Sequence, residues 1–107
     1  MTVRELRTKV LSRDGWMCVA TVYHDAGPCY DRWGNLLRDG RLSSEQLEMD
    51  YVRQGARGLH HELECDHVSL CAGHHRGTGP QGGRIWATSH RVALRSYLDN
   101  LYPIDER

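Results

Sequence analysis

A Cys-x-x-His segment in a chain with four cysteines constrains the fold more than any other sequence feature. Cys71 lies three residues before His74, a spacing at which a thiolate and an imidazole can bind one Zn²⁺ from a single turn. The adjacent His75 points elsewhere on a helix, because consecutive side chains are about 100° apart at ~3.6 residues per turn. We therefore expect this turn to present a structural metal face and a second, functional face.

The chain is short enough to form one domain over residues 1–107. A hydrophobic fraction of 39% and the absence of Phe limit its core, and domains of this size are often stabilised by a metal or by disulfides. The sequence has neither an apolar run of membrane-spanning length nor the pattern of a signal peptide. We therefore expect a cytoplasmic protein without membrane contact, in which cysteines favour metal binding over disulfides.

The charges balance, with 14 basic and 14 acidic residues. This balance argues against a protein that coats nucleic acid, although it leaves room for a local basic face. Lys9 is the single lysine, so nearly all the cations are arginines, which bind phosphate in a bidentate manner.

Apolar periodicity predicts a helix near each end of the chain. Thr2 and Glu5 fit a capping box for a helix over about 2–12. Apolar residues on one face predict a C-terminal helix over about 89–102, capped by Ser89. The segments between them are predicted as strands at about 16–20, 47–52 and 68–70, an irregular stretch at about 30–46, and an extended segment at about 84–87.

Cys18 and Cys29 are then expected at the two ends of a loop or hairpin. Their separation exceeds the two-residue spacing of a zinc knuckle, so spacing supports metal binding by this pair less strongly. Buried, reduced thiols are the alternative. Cys65 competes for one ligand position.

Three segments, taken in order, resemble the HNH (His-Asn-His) endonucleases. Val10–Cys18 resembles the helix and Arg-Asp-Gly turn that lead to the first zinc cysteine, and Leu47–Val52 resembles the first strand, where an Asp-His pair normally stands. Asp66–His75 is similar to the second strand and helix, which begin with Asn and end in Cys-x-x-Cys-His. The resemblance spans about residues 10–76. It implies an α+β fold, a small zinc-braced ββα-metal domain with flanking N- and C-terminal helices.

The resemblance also implies a structural zinc held by Cys18, Cys29, Cys71 and His74, with His74 standing where the family usually has cysteine. Three thiolates and one imidazole make a closed tetrahedral site.

The resemblance further implies that Asp50 and His75 bind a catalytic divalent metal, Mg²⁺, Mn²⁺ or another. In the family the first histidine is the general base, and the Asn positions it. Here Tyr51 stands at the base position, and its ordinary pKa near ~10 makes it a poor base at neutral pH. Asp66 replaces the Asn, as a supporting group of the site.

Three interpretations stay open. Another histidine supplies the base, from His60, His61 or His67; or Asp50, Asp66 and His75 bind a metal that activates water without an imidazole base. In the third interpretation, the fold no longer cleaves nucleic acid but still binds nucleic acid or a partner.

We expect DNA as the partner, contacted by a phosphate-binding rim of arginines, although scattered solubilising charges explain them equally well. The rim comprises Arg53, Arg57, Arg76 and Arg84, extended by Arg91 and Arg95. Trp33 and Trp86 are better explained as core than as base-stacking residues.

The leading hypothesis is a small metal-dependent DNA endonuclease, similar to phage or actinobacterial-type members of the family. The alternatives are a non-catalytic zinc module that binds nucleic acid or a protein, and a structural zinc protein in a larger assembly. A homodimer or a partner protein is plausible for site selection, because one small domain contacts few base pairs.

Overall fold

The computed structural model describes residues 2–52, 63–80 and 85–103, in which helices pack on two antiparallel strand pairs. The expected α+β class is confirmed. The elements are α1 (Val3–Arg13), β1 (Cys29–Tyr30), β2 (Leu36–Leu37), β3 (Leu47–Tyr51), β4 (His67–Cys71), α2 (Ala72–Arg76), α3 (Trp86–Ser89) and α4 (Arg91–Leu101), with 3₁₀ helices at Val19–Val22 and Glu64–Asp66.

Helix α1 begins with the predicted capping box. The backbone N–H of Glu5 donates to the Thr2 hydroxyl at 3.1 Å, and the Glu5 carboxylate accepts from the Thr2 backbone N–H at 3.3 Å. These two bonds satisfy N–H groups that the helix cannot pair internally. Leu6, Val10 and Leu11 then bury one face of the helix in the core.

The Arg-Asp pair that ends α1 fixes β4 in place. The Asp14 carboxylate, whose side chain is fully buried, accepts from the backbone N–H of Ser69 at 2.8 Å and from the Tyr97 hydroxyl at 2.7 Å. Arg13 donates to the carbonyl oxygens of Glu64 and His67, at 2.6 Å each. This turn therefore anchors the strand that leads to the metal ligands.

Strands β3 and β4 form the antiparallel pair that the sequence predicts. Asp50 lies opposite Val68, and Tyr51 lies opposite His67. Because side chains alternate along a strand, Glu48 and Asp50 share one face of β3, while Tyr51 lies on the other. Cys71 ends β4 and is the N-cap of α2, so its thiol accepts from the His74 backbone N–H at 3.5 Å.

The strand predicted at about 16–20 is wrong. Gly15 and Trp16 have φ angles of 70° and 59°, and two successive left-handed residues turn the chain instead of extending it. Cys18 therefore precedes the 3₁₀ helix Val19–Val22. The irregular stretch at about 30–46 also contains the short β1–β2 hairpin.

The C-terminal helix is confirmed in its extent, but its predicted cap is wrong. Ser89 ends α3, and its hydroxyl donates to the Trp86 carbonyl at 3.0 Å. His90 stands at the N-cap of α4 instead. The extended segment predicted at about 84–87 is wrong for Trp86 and Ala87, which begin helix α3. Within the described ranges, no helix combines the length and apolar character needed to cross a membrane.

Candidate metal centre and adjoining acidic site

Cys18, Cys29, Cys71 and His74 come together in one buried cluster, with all their ligand atoms within 4.8 Å of one another. His74 Nδ1 lies 3.1 Å from the Cys71 sulfur, 3.5 Å from that of Cys18 and 3.8 Å from that of Cys29. Ligands bound at the usual ~2.0–2.3 Å around a tetrahedral Zn²⁺ lie at similar mutual distances.

The ring of His74 is held so that Nδ1 faces the sulfurs. Its Nε2–H donates to the Ala26 carbonyl at 2.8 Å, so in the neutral ring Nδ1 is the nitrogen that could bind a metal. Such a second bond to a carbonyl is typical of histidines that bind metals. The loop between Cys18 and Cys29 supplies this carbonyl, so it contributes to the centre besides joining two ligands.

The pKa values of the four cluster residues shift in different directions. Hydrogen bonds from the Cys18 and Cys29 thiols hold the pKa of Cys71 well below its usual range. Burial would lower the pKa of His74, but its bonds to the thiols of Cys18 and Cys71 raise it to about 10. The pKa of Cys18 is raised, chiefly by its contact with Cys29. The pKa of Cys29 is raised to about 12, since Cys71 and burial outweigh the lowering by Cys18.

A divalent cation fits this cluster, because the donor set is three sulfurs and one oriented imidazole nitrogen in a closed, buried space. This is the composition of structural zinc sites. Cys65, the sequence-based competitor, is outside the cluster, and its sulfur lies 3.8 Å from the Asp66 carboxylate. In the described part of the chain, the Cys₃His cluster is the one group of three or more Cys, His, Asp or Glu residues that could hold a metal.

The neighbouring imidazole faces a different site. His75 Nδ1–H donates to Glu48 Oε1 at 2.7 Å, and Nε2 lies 3.6 Å from Asp50 Oδ1. Asp50 is buried, whereas the His75 side chain is 26% exposed. The two consecutive histidines of α2 therefore contact two separate groups of side chains, as the helical geometry predicts.

Two arginines border this second site, which we call the acidic site (Glu48, Asp50 and His75). Arg76 binds the Glu48 carboxylate through two nitrogens, at 2.6 and 2.9 Å. Burial would raise the pKa of Glu48, but hydrogen bonds from Arg76 and His75 lower it overall. Arg91, from α4, donates through Nη1 to Asp50 Oδ2 and to the Tyr51 carbonyl, at 3.1 Å each.

Tyr51 lies on the opposite face of β3 from Asp50. Its ring stacks on His67, with centroids 5.0 Å apart, and His67 Nδ1 bonds to the Leu63 carbonyl at 2.9 Å. Asp66 is fully buried in a 3₁₀ helix instead of on the strand, and its carbonyl accepts from the Val52 N–H at 2.8 Å. The roles of Tyr51 and Asp66 in a catalytic site stay predictions.

The predicted arginine rim lies only partly within the described residues. Arg76 lies beside the acidic site, while Arg53, Arg57 and Arg84 are outside the described residues, as are His60 and His61. Trp86 is buried and packs its ring against His74, with centroids 5.3 Å apart. The expectation of a core position is therefore confirmed for Trp86 and wrong for Trp33, which is 73% exposed.

Glu48 is the residue of the site that sequence reasoning missed. A signal existed, because Glu48 and Asp50 are two residues apart on a predicted strand and must share a face. The contact of Arg91 with Asp50 had no such signal, since helix packing brings together residues 41 positions apart.

Comparisons of the chain with models of protein families, with curated proteins and with solved structures find no match.

Proposed function

We propose that this protein is a metal-dependent endonuclease of the HNH type, which hydrolyses phosphodiester bonds in DNA from a zinc-braced ββα-metal domain. One observation carries the proposal. His75 approaches Asp50 to 3.6 Å, while the adjacent His74 lies in the cysteine cluster. The resemblance of residues 10–76 to that family assigns the same division of tasks to these two histidines.

Asp50 and His75 each offer one ligand atom to a divalent cation, leaving further positions for water and phosphate oxygens, as Mg²⁺ sites commonly do. A bound Mg²⁺ or Mn²⁺ would offset charge on the scissile phosphate and make water a stronger acid. Glu48 fixes the His75 tautomer, because accepting the Nδ1–H leaves Nε2 free as a ligand. Its role is positioning.

Arg91 is the residue that we propose to bind the phosphate. Nη1 is held by Asp50 and the Tyr51 carbonyl, and no bond of Nε or Nη2 is found within the described ranges. The side chain is 26% exposed. The Nε–Nη2 edge of a guanidinium matches two phosphate oxygens.

The proposed reaction needs a base that accepts a proton from water. Of the three histidines considered, His67 is the one within the described ranges, and it lies on the Tyr51 side of the hairpin, away from Asp50 and His75. His67 therefore does not face the proposed metal site, whereas His60 and His61 lie outside the described residues and stay candidates for the base, beside water activation by the metal alone. Asp66 remains the proposed support for the site.

Plasmid nicking by zinc-loaded protein, with and without added Mg²⁺ or Mn²⁺, tests the proposal. We expect metal-dependent nicking that His75→Ala and Asp50→Asn abolish. The matched control is His24→Ala, which removes an exposed histidine from the loop between Cys18 and Cys29. Nicking that survives His75→Ala, or wild-type protein that is inactive with every divalent metal, contradicts the proposal.

The packing of Tyr51 favours a second candidate function. Because this residue stacks on His67 and does not face Asp50, the domain would lack the base that the family places there. The second candidate is therefore a zinc module that binds DNA or a protein without cleaving. Zinc-loaded protein that binds DNA and never nicks it would support this function.

A further inference from the structure

The turn between β1 and β2 presents an aromatic ring to solvent. Trp33 is 73% exposed, and the Arg32 guanidinium carbon lies 4.7 Å from its ring centroid. Trp33 is the one aromatic residue among the exposed large hydrophobic side chains of the described ranges. Such exposure has a free-energy cost in water, because an indole contributes a large apolar area.

The turn that carries Trp33 is fixed from within. The Asp31 carboxylate accepts from the backbone N–H groups of Trp33 and Asn35, at 2.9 Å each, and from the Asn35 side-chain amide at 3.3 Å. The bonds from backbone N–H groups, with that to Asn35 first, lower the pKa of Asp31. The ionised carboxylate therefore stabilises the turn that carries Trp33.

The turn is also fixed from outside, against the segment that follows α2. The Thr78 hydroxyl donates to the Asp31 carbonyl at 2.8 Å. Gly34 lies against Gly79, which has a φ of 82°, and a Cβ on Gly79 would come within 2.7 Å of the Tyr30 ring. The turn is thus attached to both candidate sites: β1 begins at the metal-cluster residue Cys29, and the segment beneath the turn follows the helix of the acidic site.

We propose that Arg32 and Trp33 form a binding surface for single-stranded nucleic acid, in which the indole stacks on a nucleobase and the guanidinium contacts phosphate. A base face is accessible in a single strand, whereas duplex bases stack on one another. The charge is complementary to a polyanion, because residues 31–41 carry three arginines (Arg32, Arg38 and Arg41) against two carboxylates (Asp31 and Asp39). This surface rests on the proposed function for its choice of DNA as ligand.

Binding of a fluorescein-labelled DNA oligonucleotide of about 12 nucleotides tests the surface by anisotropy. The protein is zinc-loaded, without added Mg²⁺ or Mn²⁺, at about 50 mM salt. We expect Trp33→Leu to weaken binding about tenfold, since stacking of one base is lost. Trp33→Tyr, which keeps an aromatic face, should retain affinity within about threefold.

Arg32→Gln should weaken binding and reduce the salt slope, log K against log[salt], by about 0.7, the value for one phosphate contact on a single strand. Arg4→Gln is the charge-matched control, because Arg4 is exposed on α1, and it should leave affinity and slope unchanged. Equal effects of Arg32→Gln and Arg4→Gln would overturn the assignment of Arg32.

Unchanged affinity in Trp33→Leu, with zinc content and circular dichroism like wild type, overturns the surface. A dimer that Trp33→Leu dissociates while oligonucleotide affinity stays constant overturns it in favour of a protein interface. Plasmid nicking by wild type and the same variants, now with added Mg²⁺ or Mn²⁺, separates the two proposals. If the protein nicks DNA but Trp33→Leu leaves oligonucleotide affinity unchanged, this surface alone is rejected. If Trp33→Leu weakens binding but the protein does not nick DNA, the surface is supported and hydrolysis is rejected.

Discussion

Replacing His74 and His75 one at a time by alanine should damage two different properties of the protein. His74 is fully buried, its Nδ1 lies within 3.8 Å of three sulfurs, and its Nε2–H donates to the Ala26 carbonyl. Structural zinc sites supply about 10–16 kcal/mol of apparent binding free energy, which is comparable to the about 5–15 kcal/mol net stability of a typical domain. Loss of this ligand should therefore remove the cooperative fold.

His75→Ala should cost far less stability. Its side chain is 26% exposed and that of Glu48 is 25% exposed, and ion pairs that solvent reaches contribute about 0–1 kcal/mol. A melting temperature within about 4–8 °C of wild type follows for a small domain. Nicking activity, in contrast, should disappear with His75.

The assay combines zinc content per chain with thermal melting followed by circular dichroism. We expect one zinc per chain in wild type and in His75→Ala, and none in His74→Ala. His74→Cys is the matched control, because a fourth thiolate also completes a tetrahedral site, and it should restore zinc and the melt. A chelator should lower the melting temperature of wild type and His75→Ala alike.

A His74→Ala variant that keeps its zinc and melts like His75→Ala would refute a structural role for His74. That role is also refuted if wild type contains no zinc when purified with the metal present and melts at the same temperature with chelator.

Three further changes test other parts of the structure. Glu48→Gln should weaken Mn²⁺ binding to zinc-loaded protein about 10- to 100-fold, as loss of an outer partner of a metal-binding histidine does; calorimetry with unchanged affinity would remove Glu48 from the site. Tyr97→Phe should destabilise the domain by about 1–3 kcal/mol, because it leaves the buried Asp14 short of a donor; urea unfolding measures this. Gly79→Ala should destabilise it by about 1–3 kcal/mol through backbone strain, before the clash with Tyr30 is counted; an unchanged urea midpoint would contradict that geometry.

Local patterns predicted helix α1, most of α4 and the β3–β4 pair. A capping box acts between residues three apart, and helical or strand periodicity is legible within a few turns. The same local rules failed at Trp16, whose left-handed backbone no propensity of tryptophan favours, and at Ser89, which stands one residue too early to cap α4. The error at Trp16 falls where a tertiary contact overrides propensity, because its carbonyl accepts from the Leu42 N–H at 2.7 Å. The error at Ser89 is local, because its hydroxyl donates to the Trp86 carbonyl within α3.

The spacing of Cys71, His74 and His75 by itself determined that one turn would present two imidazoles in different directions, because the angle between neighbours on a helix is fixed. The partners of those imidazoles depend on the tertiary structure. The partners of His74 are Cys18 and Cys29, and the site of His75 contains Glu48, Asp50 and Arg91. All of these residues are distant in sequence from the turn. Burial and chain packing bring these groups within bonding distance, and no local pattern encodes a contact across 41 residues.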